Sequence, residues 1–464
     1  MIELECDNVV THIFTSKELM VEISDLLSFE QPGAEHVMRR MPRWSVWDGK
    51  TRLLKHKGDT GYFPAGLTSK VIEFLDSKGL TYSLQDGRLA PPIGNRFEML
   101  ADIAPRPYQL EAVESTKTQS RGVIIIGTGG GKTFCSLLIL LEKSVPTLFV
   151  TPDVGLKNQT LEVYRRFLGN LVSGDIDSLS PVVVSNIQAI AKKPASLFQR
   201  FKMLIVDEFH HSAAKSYLTI NTALENAYWR YGLTGTNVRT DGRDMQMHGV
   251  LSSILYKKTT SDLIEDGWLV PAEITFFRKE LTGFSRMNYR EAYNEITAHV
   301  ELNNFIADLA KQKSECENKQ TLILVRRKEH GSIIQNLMFN GTVYLTGDDD
   351  FEYREEMKKK FLNREIKCLI ATEIFGEGQD IPSIDCLINA RFNQSEIQTK
   401  QGVGRALRLA SGAANYEESV RLGKSKAEIY DFLPIGQKHL AGHAADRIKQ
   451  YKSESKFKIK VERI

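Results

Sequence analysis

Short apolar runs recur along the middle and later parts of the chain, each ending in a polar or glycine-rich turn. Residues 123–126, 147–150, 182–184 and 203–206 form one set, and 321–325, 343–345, 368–371 and 386–389 form a second. Continuous apolar runs of this length, separated by amphipathic stretches, predict strands buried on both faces and alternating with helices. That is the pattern of a parallel sheet, whose functional loops gather at the strand C-termini. Two such sets in tandem predict two similar α/β lobes over residues 99–270 and 271–435, with a cleft between them and the mixed stretch 269–280 as the crossing point.

Residues 1–98 follow a different pattern. An alternating stretch near the start predicts a strand, and Thr15 with Glu18 reads as the capping box of a helix carrying Leu19, Ile23, Leu26 and Leu27. Trp47, Asp48, Gly49 and Lys50 place an Asp-Gly turn between two strand-like runs, which predicts a hairpin. A second amphipathic helix carries Leu67, Val71, Phe74 and Leu75, with Gly79 just past its end. The reading is a small α+β domain, joined to the rest by the linker-like Ala90, Pro91, Pro92, Ile93 and Gly94.

At 464 residues, 42% hydrophobic and 26% charged, the chain is globular and has room for roughly three domains. Its net charge is only +3, so a polyanion site must come from local clustering. Arg39, Arg40, Arg43, Lys50, Arg52, Lys55 and Lys57 face a single acid, Asp48, in one short stretch. The end of the chain, 436–464, reads as a basic helical extension with Lys449, Lys452, Lys456, Lys458, Lys460 and Arg463. Five scattered cysteines, Cys6, Cys135, Cys316, Cys368 and Cys386, suggest neither zinc nor a disulfide framework and fit a reduced, cytoplasmic setting. No apolar run approaches the ~20 residues that span a bilayer, and the acidic start does not resemble an export signal, so no membrane partner is expected.

The candidate chemistry begins where the strand at 123–126 ends. Gly127, Thr128, Gly129, Gly130, Gly131, Lys132 and Thr133 lie between that strand and a helix-like stretch at 134–142. Glycines let backbone amides curl around phosphates, and the helix N-terminus adds a favourable dipole. Lys132 is placed to reach the β- and γ-phosphates of ATP and Thr133 to ligate Mg2+. One departure from the usual GxxxxGKS/T pattern is Ile126, where the first glycine belongs. Asp207 and Glu208 end the strand at 203–206. Magnesium needs only one or two protein carboxylates, so Asp207 suits the metal and Glu208 suits the base that takes a proton from the attacking water. His210 and His211, adjacent on extended backbone, point apart and do not suggest zinc. Far downstream, Arg405 and Arg408 are three apart, which on a helix puts both on one face. Brought to the nucleotide, they would stabilise charge on the transferred phosphoryl group.

Together these motifs resemble a superfamily-two DExH helicase over residues 105–434. Arg106, Pro107, Tyr108 and Gln109 look like that family's adenine-recognition element, and Asp207, Glu208, Phe209 and His210 are similar to its DExH box. Leu233, Thr234, Gly235 and Thr236 occupy the place of the coupling motif, with Asn237 where the family has proline. The resemblance implies coupling roles for His210, Thr234 and Thr236. Ala371, Thr372 and Glu373, followed by Gly376, Glu377, Gly378, Gln379 and Asp380, resemble the motif that contacts phosphate backbone and ribose. Gln401, Gly404, Arg405 and Arg408 match QxxGRxxR. By the same resemblance Gly378, Asp380 and Gln401 join the nucleotide site. Thr151, Pro152, Gln159, Ser185 with Gln188, Thr346, Gly347 and Thr372 would line a nucleic-acid track.

A narrower likeness lies outside the motor core. Residues 42–54, the stretch from Tyr62 through Gly66 and Leu67 to Phe74, residues 261–267 and residues 446–451 resemble phage UvsW-type helicases. That likeness implies two tandem RecA-like parallel-sheet lobes with a small N-terminal double-stranded DNA-binding domain. It also implies a motor for branch migration in recombination, repair and replication, acting on branched or forked DNA, with recombination or replication proteins as possible partners and the monomer as the active form. Arg43, Trp44, Lys50 and Arg52 are the expected DNA contacts, cations meeting phosphates and a tryptophan meeting bases or sugars. Trp44 and Trp47 equally suit a small hydrophobic core. The rivals are an RNA helicase, a double-strand translocase of a larger repair or restriction complex, and a DNA-binding module gated by nucleotide.

Overall fold

The structure, a computed structural model, describes residues 2–31, 34–38, 41, 47–88, 90–92, 96–102, 104–208, 214–235, 245–372, 384–393 and 402–464. Contacts divide it into two compact units, Met1–Ile126 with Gly131–Lys257, and Lys258–Ile464 with the loop tip Gly127–Gly130.

The first seven strands are β1 (Ile2–Cys6), β2 (Val10–Phe14), β3 (Ser28–Glu30), β4 (Lys50–Arg52), β5 (Lys55–Lys57), β6 (Thr60–Pro64) and β7 (Tyr82–Asp86). Five form a sheet in the order β5-β6-β2-β1-β7, antiparallel except for the β1–β7 pair. Helices Lys17–Leu26 and Thr68–Ser77 lay their apolar faces on it around Leu4, Ile13, Met20, Ile23, Phe63, Val71 and Leu75. The first helix is capped by Ser16, whose Oγ accepts from Leu19 N at 3.3 Å, and not by Thr15. Thr15 is buried and its own N–H donates to Asp59 O, which keeps it with the sheet. The Asp48-Gly49 turn also differs from the sequence reading: β4 pairs antiparallel with β3, and the run at 42–46 lies outside the described residues. The tight hairpin is β5–β6, turning at Gly58 with φ +70°.

The first lobe's sheet holds β8 (Arg121–Ile126), β9 (Thr147–Thr151), β10 (Val172–Ser173), β11 (Val182–Asn186), β12 (Met203–Asp207), β13 (Trp229–Thr234) and β14 (Ile254–Lys258). Their order is β10-β11-β9-β12-β13-β8-β14, with parallel ladders from β10 through to β8. The burial of whole strands explains their unbroken apolar sequences, since helices cover both faces of such a sheet. Val123, Ile125, Leu148, Val150, Leu204 and Val206 lie at the centre of this core. Because the sheet is parallel, β8, β12 and β13 end on the same edge, bringing three distant sequence segments together there.

The second lobe repeats the design with β15 (Ala272–Glu280), β16 (Thr321–Leu324), β17 (Val343–Leu345), β18 (Cys368–Ala371), β19 (Cys386–Asn389), β20 (Ala427–Ile435) and β21 (Phe457–Arg463). The order is β17-β18-β16-β19-β20-β15-β21, parallel throughout. Two expectations change here. The stretch 269–280 is no simple crossing segment, because most of it is β15, hydrogen-bonded on both sides within the sheet. Nor is the basic C-terminus wholly helical: helix Lys438–Lys452 is followed by β21, which adds the last strand beside β15. The fold is therefore α/β, with two RecA-like parallel-sheet lobes and a small N-terminal α+β domain.

That small domain is seated on the first lobe. A Cβ at Gly66 would lie 2.2 Å from His248 O and 2.5 Å from Gly249 O, so only glycine allows this approach of two backbones. Asn8 Nδ2 donates to Glu225 O at 3.0 Å, and Arg121 donates to Asn8 O at 3.2 Å. Among the described residues no helix is long and apolar enough to cross a membrane.

Candidate nucleotide and nucleic-acid sites

The phosphate loop starts as β8 ends. Ile126 is fully buried as the last residue of the strand, so the glycine run begins only at Gly127. Gly129 (φ +88°) and Gly131 (φ +75°) adopt the left-handed conformation that glycine tolerates without a Cβ penalty. Gly130 N donates to Gly127 O at 2.9 Å, tightening the loop. Helix Lys132–Lys143 then begins with Gly131 at its N-cap and no side-chain cap. The amides of a first helical turn lack intrahelical partners, which suits an anion.

Gln109 lies beside this loop. Pro107 opens helix Pro107–Ser115, and Gln109 Oε1 accepts from Arg106 N at 2.9 Å. Its Nε2 lies 3.5 Å from Gly131 O, and Arg106 Nη1 donates to the Tyr108 hydroxyl at 3.1 Å. Tyr108 and Gln109 are both buried. The glutamine thus joins the helix start to the phosphate loop in this structure.

Asp207 and Glu208 stand where β12 ends. The Asp207 carboxyl is pushed up to about 7, first by burial and then by the adjacent Glu208 charge, while Lys132 pulls it down. Lys132 Nζ lies 3.0 Å from Glu208 Oε1. Thr234, at the end of β13, donates from its hydroxyl to Glu208 Oε2 at 3.3 Å. Glu208 itself has φ +43°, a conformation rare for residues with a side chain and often associated with functional sites. The parallel sheet thereby gathers Lys132, Asp207 and Thr234 around the Glu208 carboxylate. The contact of Thr234 with Glu208 is not legible from spacing, since 26 residues separate them. His210 and Thr236 lie outside the described residues.

The donor set suits a hard cation. A buried aspartate beside a second carboxylate, and a threonine hydroxyl in the first turn of helix Lys132–Lys143, are the kind of few oxygen ligands that magnesium takes when it keeps several waters.

The expected nucleic-acid residues divide by exposure. Thr151 and Ser185 are buried, and Thr151 Oγ1 donates to Asp153 O at 2.9 Å, with Ser185 O 3.4 Å away as the alternative acceptor. The Thr151 hydroxyl thereby helps to set the loop after β9. Pro152 is buried, Gln159 half-buried, Thr346 half-buried and Gly347 exposed. Thr346 N donates to Asp349 Oδ2 at 2.6 Å, which sets the turn after β17. Thr372 Oγ1 is buried and has no hydrogen-bond partner among the described residues. Arg405 is buried within the helical residues 402–406, whereas Arg408 follows in a bend, so the two do not share a helix face. Gly378, Asp380 and Gln401 lie outside the described residues.

In the N-terminal domain, Arg43 and Trp44 also lie outside the described residues. Arg52 is already committed: both its terminal nitrogens reach Asp48, at 3.0 and 2.6 Å, and one lies 3.4 Å from Asp25. That ion pair holds the Asp48 carboxyl well below the usual carboxylate range. Trp47 donates from Nε1 to Lys50 O at 2.9 Å, a structural role. Lys55 and Lys57 are exposed on β5, and Lys55 Nζ lies 5.9 Å from the Tyr62 ring, which is itself 5.9 Å from His12. Strand alternation could have flagged Tyr62 and His12, because the register pairs His12, Tyr62 and Lys55 across three neighbouring strands.

Comparison with known proteins fits this arrangement. The family described as "Type III restriction enzyme, res subunit" matches residues 102–239, and "Helicase conserved C-terminal domain" matches 302–410. The ATP-dependent DNA helicase uvsW of Enterobacteria phage T4 is 25% identical, over 98% of this chain and 95% of its own. The DNA 3'-5' translocase XPB2 of Sulfurisphaera tokodaii is 26% identical, over 70% of this chain and 84% of its own. Among solved structures, a fragment described as an HsdR subunit of a type I restriction enzyme from Vibrio vulnificus YJ016 shares the fold, with TM-score 0.58 and 19% identity over 78% of this chain and 69% of that one. With these two families matched in order, one on each parallel-sheet lobe, the chain belongs to the ATP-hydrolysing helicases of superfamily two.

Proposed function

We propose that this helicase acts on DNA and remodels branched or forked structures, as in branch migration. The observation that carries the reading is the extent of the likeness to uvsW, which runs over 98% of the chain and so includes the N-terminal domain, whereas that to XPB2 stops at 70%. A small α+β domain seated on the first lobe through Gly66 gives the motor a second surface for a duplex arm.

In the ATP site, Lys132 and the amides that follow Gly131 hold the β- and γ-phosphates, and Gln109 and Tyr108 lie beside the loop for the base. Thr133 and Asp207 would hold Mg2+, which when bound neutralises phosphate charge. Glu208 takes the proton from the attacking water; when ATP enters, Lys132 exchanges its carboxylate partner for phosphate and frees Glu208 for that role. Thr234, hydrogen-bonded to Glu208, links the base to the end of β13 and hence to the coupling motif. Arg405 and Arg408 supply positive charge to the transferred phosphoryl group.

The test is ATP hydrolysis activated in turn by four-way junction, forked duplex, linear duplex, single-stranded DNA and single-stranded RNA. Junctions and forks should activate most. Activation mainly by linear duplex would instead identify a double-strand translocase, and activation mainly by RNA an RNA helicase.

A further inference from the structure

The second lobe contains a buried charge pair that the ATP site does not use. Arg447, on helix Lys438–Lys452, and Asp431, in the middle of β20, are both fully buried. Arg447 Nε donates to Asp431 Oδ2 at 3.0 Å and Nη2 to Oδ1 at 2.8 Å, a two-pronged contact. It also donates from Nη2 to Phe432 O at 3.0 Å and from Nη1 to Asn393 O. Taking two charges out of water is costly, and packed apolar residues would hold a helix on a sheet as well or better. What the pair provides is direction, because the planar guanidinium fixes three chain segments at defined angles.

One of those segments leads to the arginines. Asp431 Oδ2 also accepts from Asn389 Nδ2 at 2.9 Å, and Asn389 Oδ1 accepts from Arg391 Nε at 2.9 Å. Arg391 Nη2 lies 3.3 Å from where a Cβ on Gly402 would stand, at the start of the helical residues 402–406 that carry Arg405. A series of hydrogen bonds thus runs from Arg447 through Asp431 and Asn389 to Arg391, whose guanidinium lies beside Gly402. A second hold acts directly on the carbonyl of Asn393. Tyr293 also anchors this stretch, its hydroxyl donating to Arg391 O at 2.8 Å.

We propose that Arg447 is a positioning residue for ATP hydrolysis: by fixing residues 389–393 it sets the position of Arg405 and Arg408. This rests on the reading of those arginines as the groups that stabilise the transferred phosphoryl. The C-terminal helix is then part of the hydrolytic machinery, although it lies beyond the region matched by either helicase family.

The experiment compares DNA-activated hydrolysis by wild type, Arg447→Lys, Arg405→Ala and the double variant, with ATP affinity measured separately. Lysine keeps the charge and loses the two-pronged geometry. Arg447→Lys should lower kcat on the order of ten- to a hundredfold while KM for ATP stays within about twofold, the signature of misplaced transition-state groups. In the double variant the loss should not add to that of Arg405→Ala. Multiplicative losses, or an unchanged kcat in Arg447→Lys, would overturn the proposal. If Arg405→Ala alone hydrolyses normally, the arginine reading fails first and takes the positioning role with it. Should Arg447→Lys lack a cooperative thermal transition, Asn389→Ser gives the same comparison. It breaks the link from Asp431 to Arg391 while leaving the ion pair and its hold on Asn393 whole, so a smaller kcat loss, again masked by Arg405→Ala, is expected; full activity overturns the proposal.

Discussion

Glu208 is the residue on which the ATP site converges. Its carboxylate meets Lys132 on one oxygen and Thr234 on the other, and its backbone is held at φ +43°. Glu208→Gln keeps the shape and removes the basicity. We expect it to bind ATP normally and to hydrolyse it on the order of a hundredfold or more slowly, read by equilibrium binding beside single-turnover hydrolysis. Unimpaired hydrolysis would remove Glu208 from the base role. Asp207 gives a second test. It is held near neutrality in the fold, up to about 7, whereas an unfolded aspartate ionises near pH 4. Its stabilising contribution is therefore present below about pH 4 and is lost as pH rises toward 7. The melting temperature of the nucleotide-free protein should carry that downward contribution across this window, and Asp207→Asn should remove it. Identical pH slopes in the two proteins would show that Asp207 is ionised in the fold throughout.

Residue types at this site were legible because phosphate chemistry restricts them: glycines at positive φ, one lysine, one hydroxyl, one acidic pair. Long-range partners were not. Asp25, 27 residues from Arg52, helps to neutralise a cation that sequence clustering assigned to DNA. Ser16 and Thr15 are adjacent hydroxyl residues with equal capping chemistry, and only the hydrogen bond of Thr15 N to Asp59 O decides between them.

At the scale of elements, legibility followed burial. Strands β9, β12, β18 and β19 are buried along their whole length, and their apolar runs announced them. β15 ends in Arg278, Lys279 and Glu280 and its burial fades toward that end, so its composition resembled a connector. β21 is an edge strand with mostly exposed, alternating charged residues, a sequence equally compatible with a solvated tail. The docking of the N-terminal domain depends on an element pair with no sequence signal beyond two glycines. Gly66→Val would drive a side chain into the carbonyls of His248 and Gly249, backbone atoms that cannot swing away. We expect a loss of ~1–3 kcal/mol in chemical denaturation, and a weaker preference for branched DNA. Unchanged stability would mean the domain is not seated there.

Across the whole molecule, the order of parts agrees with the motor reading: a small α+β domain fixed to the first lobe, two parallel-sheet lobes, and a C-terminal helix and strand, the strand completing the second sheet. Two tandem lobes were legible because each repeats the same alternation of buried strand and helix. The C-terminal return to β15 was not, because it joins segments nearly two hundred residues apart through edge pairing alone. The central claim is that ATP hydrolysis at Lys132 drives the remodelling of branched DNA. It is tested most directly by following a synthetic four-way junction through conversion to duplex products with wild type and Lys132→Ala, each with and without ATP. Conversion only by wild type with ATP is the predicted result. Hydrolysis on the junction without conversion to products, or conversion by Lys132→Ala, would contradict the claim.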